Sequence, residues 1–543
     1  MPQRSRTAVR GVIGLSVSLA MAAFIGPAAF GAADGGGDGT QPIDFLHNAT
    51  GMAAPVTGAA LGQGAQATPG VPICSTGTSS AANVNTDCDA SSPHNETSIA
   101  INPTDPSNII GGANDYQLRA NSGGHVAESV LSRAHVSFDG GKTWSEYPIN
   151  SNAKYQATGD PALAFDATGH AYYATLGFRF AGPVSVVNAD ILVATSNDGG
   201  RNWASHRIAQ GSGSAGSVGD FLDKEYVAAW GDGNAIVTFG DFRQAQKGAV
   251  VSARIYASVT HDHGATWSTP VVISGSTVEA FASIPTVTSD GRVFVAYLDT
   301  VDLTTGRDDY KVVEVDPSTG ARLAGPFTVA HVIDGSTDYP IAEGRQTYQD
   351  SLFRTWAAGN ITADPTNGAH LAVVWSDMRD SATPAPADPY AATTNSDVVV
   401  SQSIDSGRTW SAPKAVTTAN DQFMPWGAYD AAGRLRIGTF DRRYDAANHK
   451  YGYSLLTETS AGALTFTSRQ VTTTLSDPTK DDRWFAATVN ASYPHATTFL
   501  GDYSNIAVSP AGGVVAYWTD MRNSASFGGR TGHGEDAYFA HVG

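Results

Sequence analysis

From about residue 93 onward, the chain alternates short β-branched and aromatic runs with turns rich in Gly, Asp, Asn and Pro. Few stretches show helical periodicity, so the pattern predicts strands and hairpins throughout. Each unit opens with one apolar run, passes a tight turn, and enters a second run that often ends in Asp. The first runs centre on Ile99, Leu163, Val227, Val287, Ile361, Ala428 and Ile506, at spacings of 64, 64, 60, 74, 67 and 78 residues. The turns that follow resemble one another: Asp166-Ala-Thr-Gly169, Gly231-Asp-Gly233, Ser289-Asp-Gly291, Asp430-Ala-Ala-Gly433 and Pro510-Ala-Gly-Gly513. A period of this length marks a stacked or circular repeat, in which no unit can bury its apolar face alone. The expected architecture is all-β, a propeller of seven four-stranded units. The last unit supplies only three clear strands, ending at Tyr538 to Val542. A fourth is expected from the segment before residue 93, closing the ring.

A second motif recurs at four places. It reads Ser137-Phe-Asp139-Gly-Gly141-Lys-Thr143-Trp144, Ser196-Asn-Asp198-Gly-Gly200-Arg-Asn202-Trp203, Thr260-His-Asp262-His-Gly264-Ala-Thr266-Trp267 and Ser403-Ile-Asp405-Ser-Gly407-Arg-Thr409-Trp410. The Asp can accept backbone N–H bonds across a tight turn, the Gly admits φ > 0, and the Trp packs under the sheet. The gaps between these aspartates are 59, 64 and 143 residues, so one copy has decayed, and Val315-Asp316-Pro317-Ser318-Thr319-Gly320 is its remnant. The motif resembles the Asp box, or BNR repeat, of the sialidase-like β-propellers. That resemblance covers residues 93–543 and implies that Asp139, Asp198, Asp262 and Asp405 are structural, on the face away from the ligand site. Family sialidases are six-bladed, which is the alternative to the seven units counted here.

The N-terminus is read as an address. Arg4, Arg6 and Arg10 precede an apolar run from Gly11 to Ile25 and then small residues, the layout of a secretory signal peptide over residues 1–33. Residues 34–92 are rich in Gly, Ala, Ser and Thr and read as a flexible lead-in. Cys74 and Cys88, the only two cysteines, are expected to form a disulfide in an oxidising compartment. A secreted, extracellular monomer is the expectation.

Composition then narrows the chemistry. With 33 Lys+Arg against 51 Asp+Glu the net charge is 33 − 51 = −18, a poor match to phosphate backbones, so no nucleic-acid partner is expected. Beyond the N-terminus no run reaches the roughly 18 apolar residues of a membrane span. Nor is there an H-x-x-x-H pair, a Walker loop or a nucleophile elbow. No cofactor is expected; calcium at a rim of Asp lacks a spaced ligand loop to support it.

In a propeller the starts of first strands and the ends of second strands rim one funnel. Here those positions hold His94-Asn95-Glu96, Gly159-Asp160-Pro161, Asp223-Lys224-Glu225, Arg354-Thr355-Trp356, Pro425-Trp426 and Gly501-Asp502-Tyr503, together with the repeated Asp241-Phe-Arg243, Asp377-Met-Arg379, Asp441-Arg-Arg443 and Asp520-Met-Arg522. Arginines there can clamp an acidic or hydroxylated ligand, carboxylates can exchange protons, and Trp356, Trp426 and Tyr503 can stack on sugar faces. Equally, Asp and Arg of adjacent blades can pair into a ring that only fixes the propeller.

The family resemblance implies residue roles. Tyr503-Ser504-Asn505-Ile506 is similar to the run that carries the sialidase nucleophile, with Glu225 as its partner and Asp160 as acid/base. Arg243, Arg379, Arg443 and Arg522 would hold the substrate. No counterpart of the family's first arginine motif precedes Ile99, where His94-Asn95-Glu96 stands. The function so implied is an exo-acting, sialidase-like glycoside hydrolase on an acidic or sialylated glycan. A non-catalytic glycan- or protein-binding propeller and a lyase on uronate polymers are the alternatives.

Overall fold

In the computed structural model the chain forms a seven-bladed β-propeller. Described are residues 70–88, 93–120, 126–149, 155, 157–180, 186–212, 219–244, 250–275, 279–302, 304–342, 345–381, 383–480, 499–527 and 530–542. Residues 1–33, expected to be a signal peptide, and residues 34–69 and 89–92 of the expected lead-in lie outside them.

The inner strands of the blades are His94–Ile101, Ala157–Phe165, Gly219–Trp230, Ala280–Val287, Asn360–Ala363, Gln422–Tyr429 and Asn505–Val508. All seven centres expected from the apolar pattern fall inside them. Each blade is an antiparallel meander running outward from the axis. No helix occurs among the described residues. The core lies between the blades, where facing sheets bury aromatic residues such as Trp144, Trp375 and Trp518.

The ring closes through the N-terminal segment. In blade 7, Val84–Asn85 pairs with the last strand, Asp536–His541, in the register Val84↔Phe539 and Asn85↔Tyr538. Closure of this kind supplies the fourth strand that the C-terminal sequence lacks. Cys74–Ser75 adds a fifth strand to blade 1 against Ser145–Pro148, and Cys74 is bonded to Cys88. The stretch from Cys74 to Cys88 thus belongs to the ring, which narrows the lead-in.

The four Asp boxes lie at the turns joining third and fourth strands. Antiparallel topology puts those turns at the opposite end of the blades from the inner-strand starts. In blade 1, Asp139 Oδ1 accepts from Thr143 N (2.9 Å) and Lys142 N (3.0 Å), Ser137 Oγ accepts from Gly141 N (2.8 Å), and Trp144 Nε1 donates to Gly141 O (3.0 Å). The other three repeat the Asp-to-backbone bond and the Trp-to-Gly bond. Gly141 has φ +88°, and a Cβ there would lie 2.2 Å from Phe539 of the neighbouring blade, so no larger residue fits. Thr266 and Thr409 hydroxyl and amide bonds hold Asp262 and Asp405 ionised, with pKa down to about 2. The decayed copy keeps only an Asp turn, in which Asp316 accepts from Ser318 N at 2.8 Å.

Candidate functional site

Five inner strands carry the same defect near their start. In blades 1, 2, 3, 4 and 6 the pairing register slips between Asn95 and Ser98, Gly159 and Ala162, Asp223 and Tyr226, Phe281 and Ile284, and Phe423 and Trp426. Two residues of the inner strand stand opposite one on its neighbour, which is a β-bulge. The first extra residue is left-handed in every case: Glu96 (φ 53°), Asp160 (φ 58°), Lys224 (φ 54°), Ala282 (φ 53°) and Met424 (φ 47°). Non-glycine residues in this conformation cost about 1 kcal/mol or more. The five residues stand at one level of the ring, at corresponding positions of their inner strands. Blades 5 and 7 reach the same level through loops bearing Arg354, Trp356 and Asp502.

These side chains separate by character. Blades 1, 2, 3 and 7 contribute Glu96, Asp160, Lys224, Glu225, Asp502 and Tyr503. Blade 4, the approach to blade 5, and blade 6 contribute Phe281, Ala282, Trp356, Met424 and Trp426. All but Glu96 line one axial cavity of about 550 Å³, counting its mouth open to solvent. Tyr226 stacks on Trp426 (centroids 5.2 Å apart) and meets Tyr503 edge-on (5.5 Å). Gly501 has φ +89°, and a Cβ on it would sit 2.6 Å from Glu96 N; blades 7 and 1 touch backbone to backbone here.

The polar side is a compact ion network. Lys224 Nζ donates to Asp160 Oδ2 (2.7 Å) and Asp502 Oδ2 (2.6 Å) and stands 3.7 Å from Glu96 Oε1. Arg354 grips Asp502 with two bonds, Nε to Oδ1 at 2.8 Å and a terminal nitrogen to Oδ2 at 2.6 Å. Burial works to raise the Asp502 pKa, yet Arg354 and Lys224 together hold it well below the carboxylate range. Burial works against the Lys224 charge, and Asp160, Asp502 and Glu96 overcome it.

Glu225 behaves oppositely. It is 1% exposed, and neither carboxyl oxygen meets a hydrogen-bonding partner beyond its own residue. Burial, then the charge of Asp160, push its pKa well above the usual range, which favours the protonated form. Burial and the charge of Asp160 push Glu96 the same way, and its Oε2 accepts from Asn114 Nδ2 at 2.8 Å.

Tyr503, Glu225, Asp160, Trp356 and Trp426 all line the cavity as the sequence suggested. The nucleophile pair does not form: Tyr503 OH donates to Pro161 O at 2.9 Å, and burial with the charge of Glu96 raises its pKa further. The proposed substrate arginines are placed elsewhere. Arg379, Arg443 and Arg522 each fold back on the Asp two residues before them, Nε lying 2.8, 2.7 and 2.9 Å from Asp377, Asp441 and Asp520. Trp375 and Trp518 bind two of the same carboxylates through Nε1 (2.8 and 2.9 Å). The repeat is therefore a clasp within one strand, neither a ligand clamp nor a ring between adjacent blades. The Arg243 side chain is 70% exposed and 4.0 Å from Asp220.

Sequence reasoning collected Lys224, Arg354, Asp502 and Glu96 as funnel residues but gave them no role. Left-handed Glu, Asp and Lys carry no compositional signal, so the bulges that aim them are silent in the sequence.

Fold and turns define an Asp-box β-propeller of seven blades. No family model matches the chain, and no curated protein matches it. Among solved structures it is similar to a Hadza microbial sialidase, at 11% identity and TM-score 0.41 over 77% of this chain and 75% of that one. Another is the GH93 α-L-arabinofuranosidase of Fusarium graminearum in complex with arabinobiose, at 12% and 0.42 over 86% and 98%. A third is a PL25 ulvan lyase bound to a sulfated glucuronic acid–rhamnose unit, at 12% and 0.42 over 69% and 80%.

Proposed function

We propose that the axial cavity hydrolyses a glycosidic bond of a neutral glycan outside the cell, with Glu225 as general acid and Asp160 as the partner carboxylate. The observation that carries this is the setting of Glu225, a buried carboxyl of the cavity lining whose oxygens have no donor and whose pKa burial and the charge of Asp160 raise, close to Asp502, which Arg354 and Lys224 hold ionised. Environments that push neighbouring carboxyls apart in pKa supply the two roles glycoside hydrolysis needs. Glu225 gives its proton to the leaving oxygen as the C–O bond breaks. Asp160, tied to Lys224 through Oδ2, has a buried Oδ1 without a donor, and this oxygen would face the developing oxocarbenium ion or assist the attacking water. Trp356, Trp426 and Tyr503 offer ring faces to the sugar.

A neutral sugar is favoured over an acidic one because Lys224 and Arg354 already serve Asp160 and Asp502. A substrate carboxylate would have to displace those bonds. Lyase chemistry needs a ready base, and a Tyr503 phenol with a raised pKa is a poor one.

A panel of 4-methylumbelliferyl glycosides of neutral sugars, sialic acid and uronic acids tests the reading. Release is expected from at least one neutral glycoside, with kcat lowered roughly 10²–10⁴-fold in Glu225→Gln. Silence across the panel and on polysaccharides would leave the second reading, a binding-only propeller, which the self-satisfied ion network favours. In that case Glu225→Gln leaves glycan affinity unchanged.

A further inference from the structure

A second cluster lies at the seam where the ring closes, outside the axial cavity. Asp87 follows the closure strand. His94 begins the inner strand of blade 1, and His135 lies on its third strand. All three are buried, and each offers a donor atom within 4.8 Å of the others. Asp87 spans the two imidazoles, with Oδ2 3.3 Å from His94 Nδ1 and Oδ1 3.4 Å from His135 Nδ1. Charge-assisted N–H···O bonds are shorter, about 2.7–2.9 Å. A tetrahedral centre with bonds of about 2.0–2.1 Å has ligand–ligand edges of roughly 3.3–3.4 Å, and Asp87 stands at that distance from each ring, through a different oxygen in each case.

The surroundings suit a cation. Asp87, Asp115, Glu146 and Asp536 all act on His94, against the single guanidinium of Arg133 on Asp115 at 3.1 Å. Four buried carboxyls with so little positive charge are costly to keep out of water. Asp87 Oδ1 is buried with no hydrogen-bond partner, aimed at His135. Tyr517 OH and Thr86 Oγ1 each lie 2.8 Å from His135 Nδ1 and 2.9 Å from each other, and Thr86 Oγ1 also reaches Ala537 O at 3.0 Å, so an ion on this nitrogen requires both hydroxyls to turn their protons to those other acceptors. On the far side of the His94 ring, Nε2 faces Asp115 Oδ1 at 3.6 Å, the outer-sphere carboxylate that commonly orients a ligating imidazole.

We propose that Asp87, His94 and His135 form a structural site for a divalent transition-metal ion of the zinc class. Two imidazoles and a carboxylate are an ordinary donor set for such an ion. The ion would pin the closure segment to blade 1.

The test is elemental analysis of the full chain, purified without immobilised metal or chelator. About one equivalent of zinc or another divalent transition metal is expected per chain, with Tm lowered on stripping and restored by Zn²⁺. Co²⁺ added to stripped protein should give the visible absorption of a four-coordinate centre, abolished in Asp87→Asn. If that variant fails to fold, the wild-type measurements decide alone. Substoichiometric metal, with no Tm shift or cobalt spectrum on adding Zn²⁺ or Co²⁺, overturns the proposal and leaves His94 as an imidazolium between carboxylates.

Discussion

Arg354 holds Asp502 with two parallel hydrogen bonds of 2.8 and 2.6 Å, both side chains being 3% exposed or less. The pair joins the approach to blade 5 with the approach to blade 7. Removing one partner of a buried pair strands the other charge and costs about 3–5 kcal/mol. Arg354→Met should lose that much in chemical denaturation. Arg354→Lys should recover only part, because an ammonium cannot span both oxygens.

Glu225 predicts a conflict between activity and stability. Its proton is held more tightly in the fold than in the unfolded chain. Below the ordinary carboxyl range both states are protonated, and the residue costs nothing. As pH rises through that range the unfolded chain gains by ionising while the fold does not, so stability declines toward the raised folded pKa. Glu225→Gln should match the wild-type Tm near about pH 4 and exceed it near about pH 8, while losing turnover. The wild-type rate should fall on the alkaline side as the acid deprotonates. Thermal melts across pH and a pH–rate profile check both halves.

The left-handed residues predict opposite effects. Ala282→Gly should stabilise the protein by about 1 kcal/mol by relieving backbone strain, whereas Met424→Gly should be net destabilising, because deleting a buried methionine side chain costs about 2–5 kcal/mol. If that level of the ring contacts ligand, Met424→Gly should weaken binding although the fold is intact, which calorimetry with the identified glycoside would show.

The disulfide closes a loop of 15 residues beside the closure strand. Reduction, or Cys74→Ser with Cys88→Ser, should lower stability by about 3 kcal/mol in the loop-entropy model. Melts with and without reductant measure it, and an unchanged Tm would mean that pairing of Val84–Asn85 alone secures the ring.

The fold was legible because its causes are local and repeated. Asp-box turns need a carboxylate, a glycine and an indole at fixed offsets, so Asp139, Asp198, Asp262 and Asp405 declare themselves. Inner strands declare themselves by runs such as the one around Val227, and the missing fourth strand by subtraction. The arginine repeat misled for the same reason. A motif seen four times looked like a shared ligand ring, whereas Arg379, Arg443 and Arg522 each satisfy an Asp two residues away on the same strand.

Taken alone, the sequence determined the number of blades, their turns and the set of residues at the funnel. Tertiary structure decided which of these meet and in what charge state. Lys224 contacts Asp502, 278 positions away, only because the ring brings blades 3 and 7 to one axis. Glu225 and Asp502 are both carboxyls at inner-strand starts. One has its pKa raised by burial without a donor, the other is held ionised by two cations, and that difference comes from neighbours supplied by other blades.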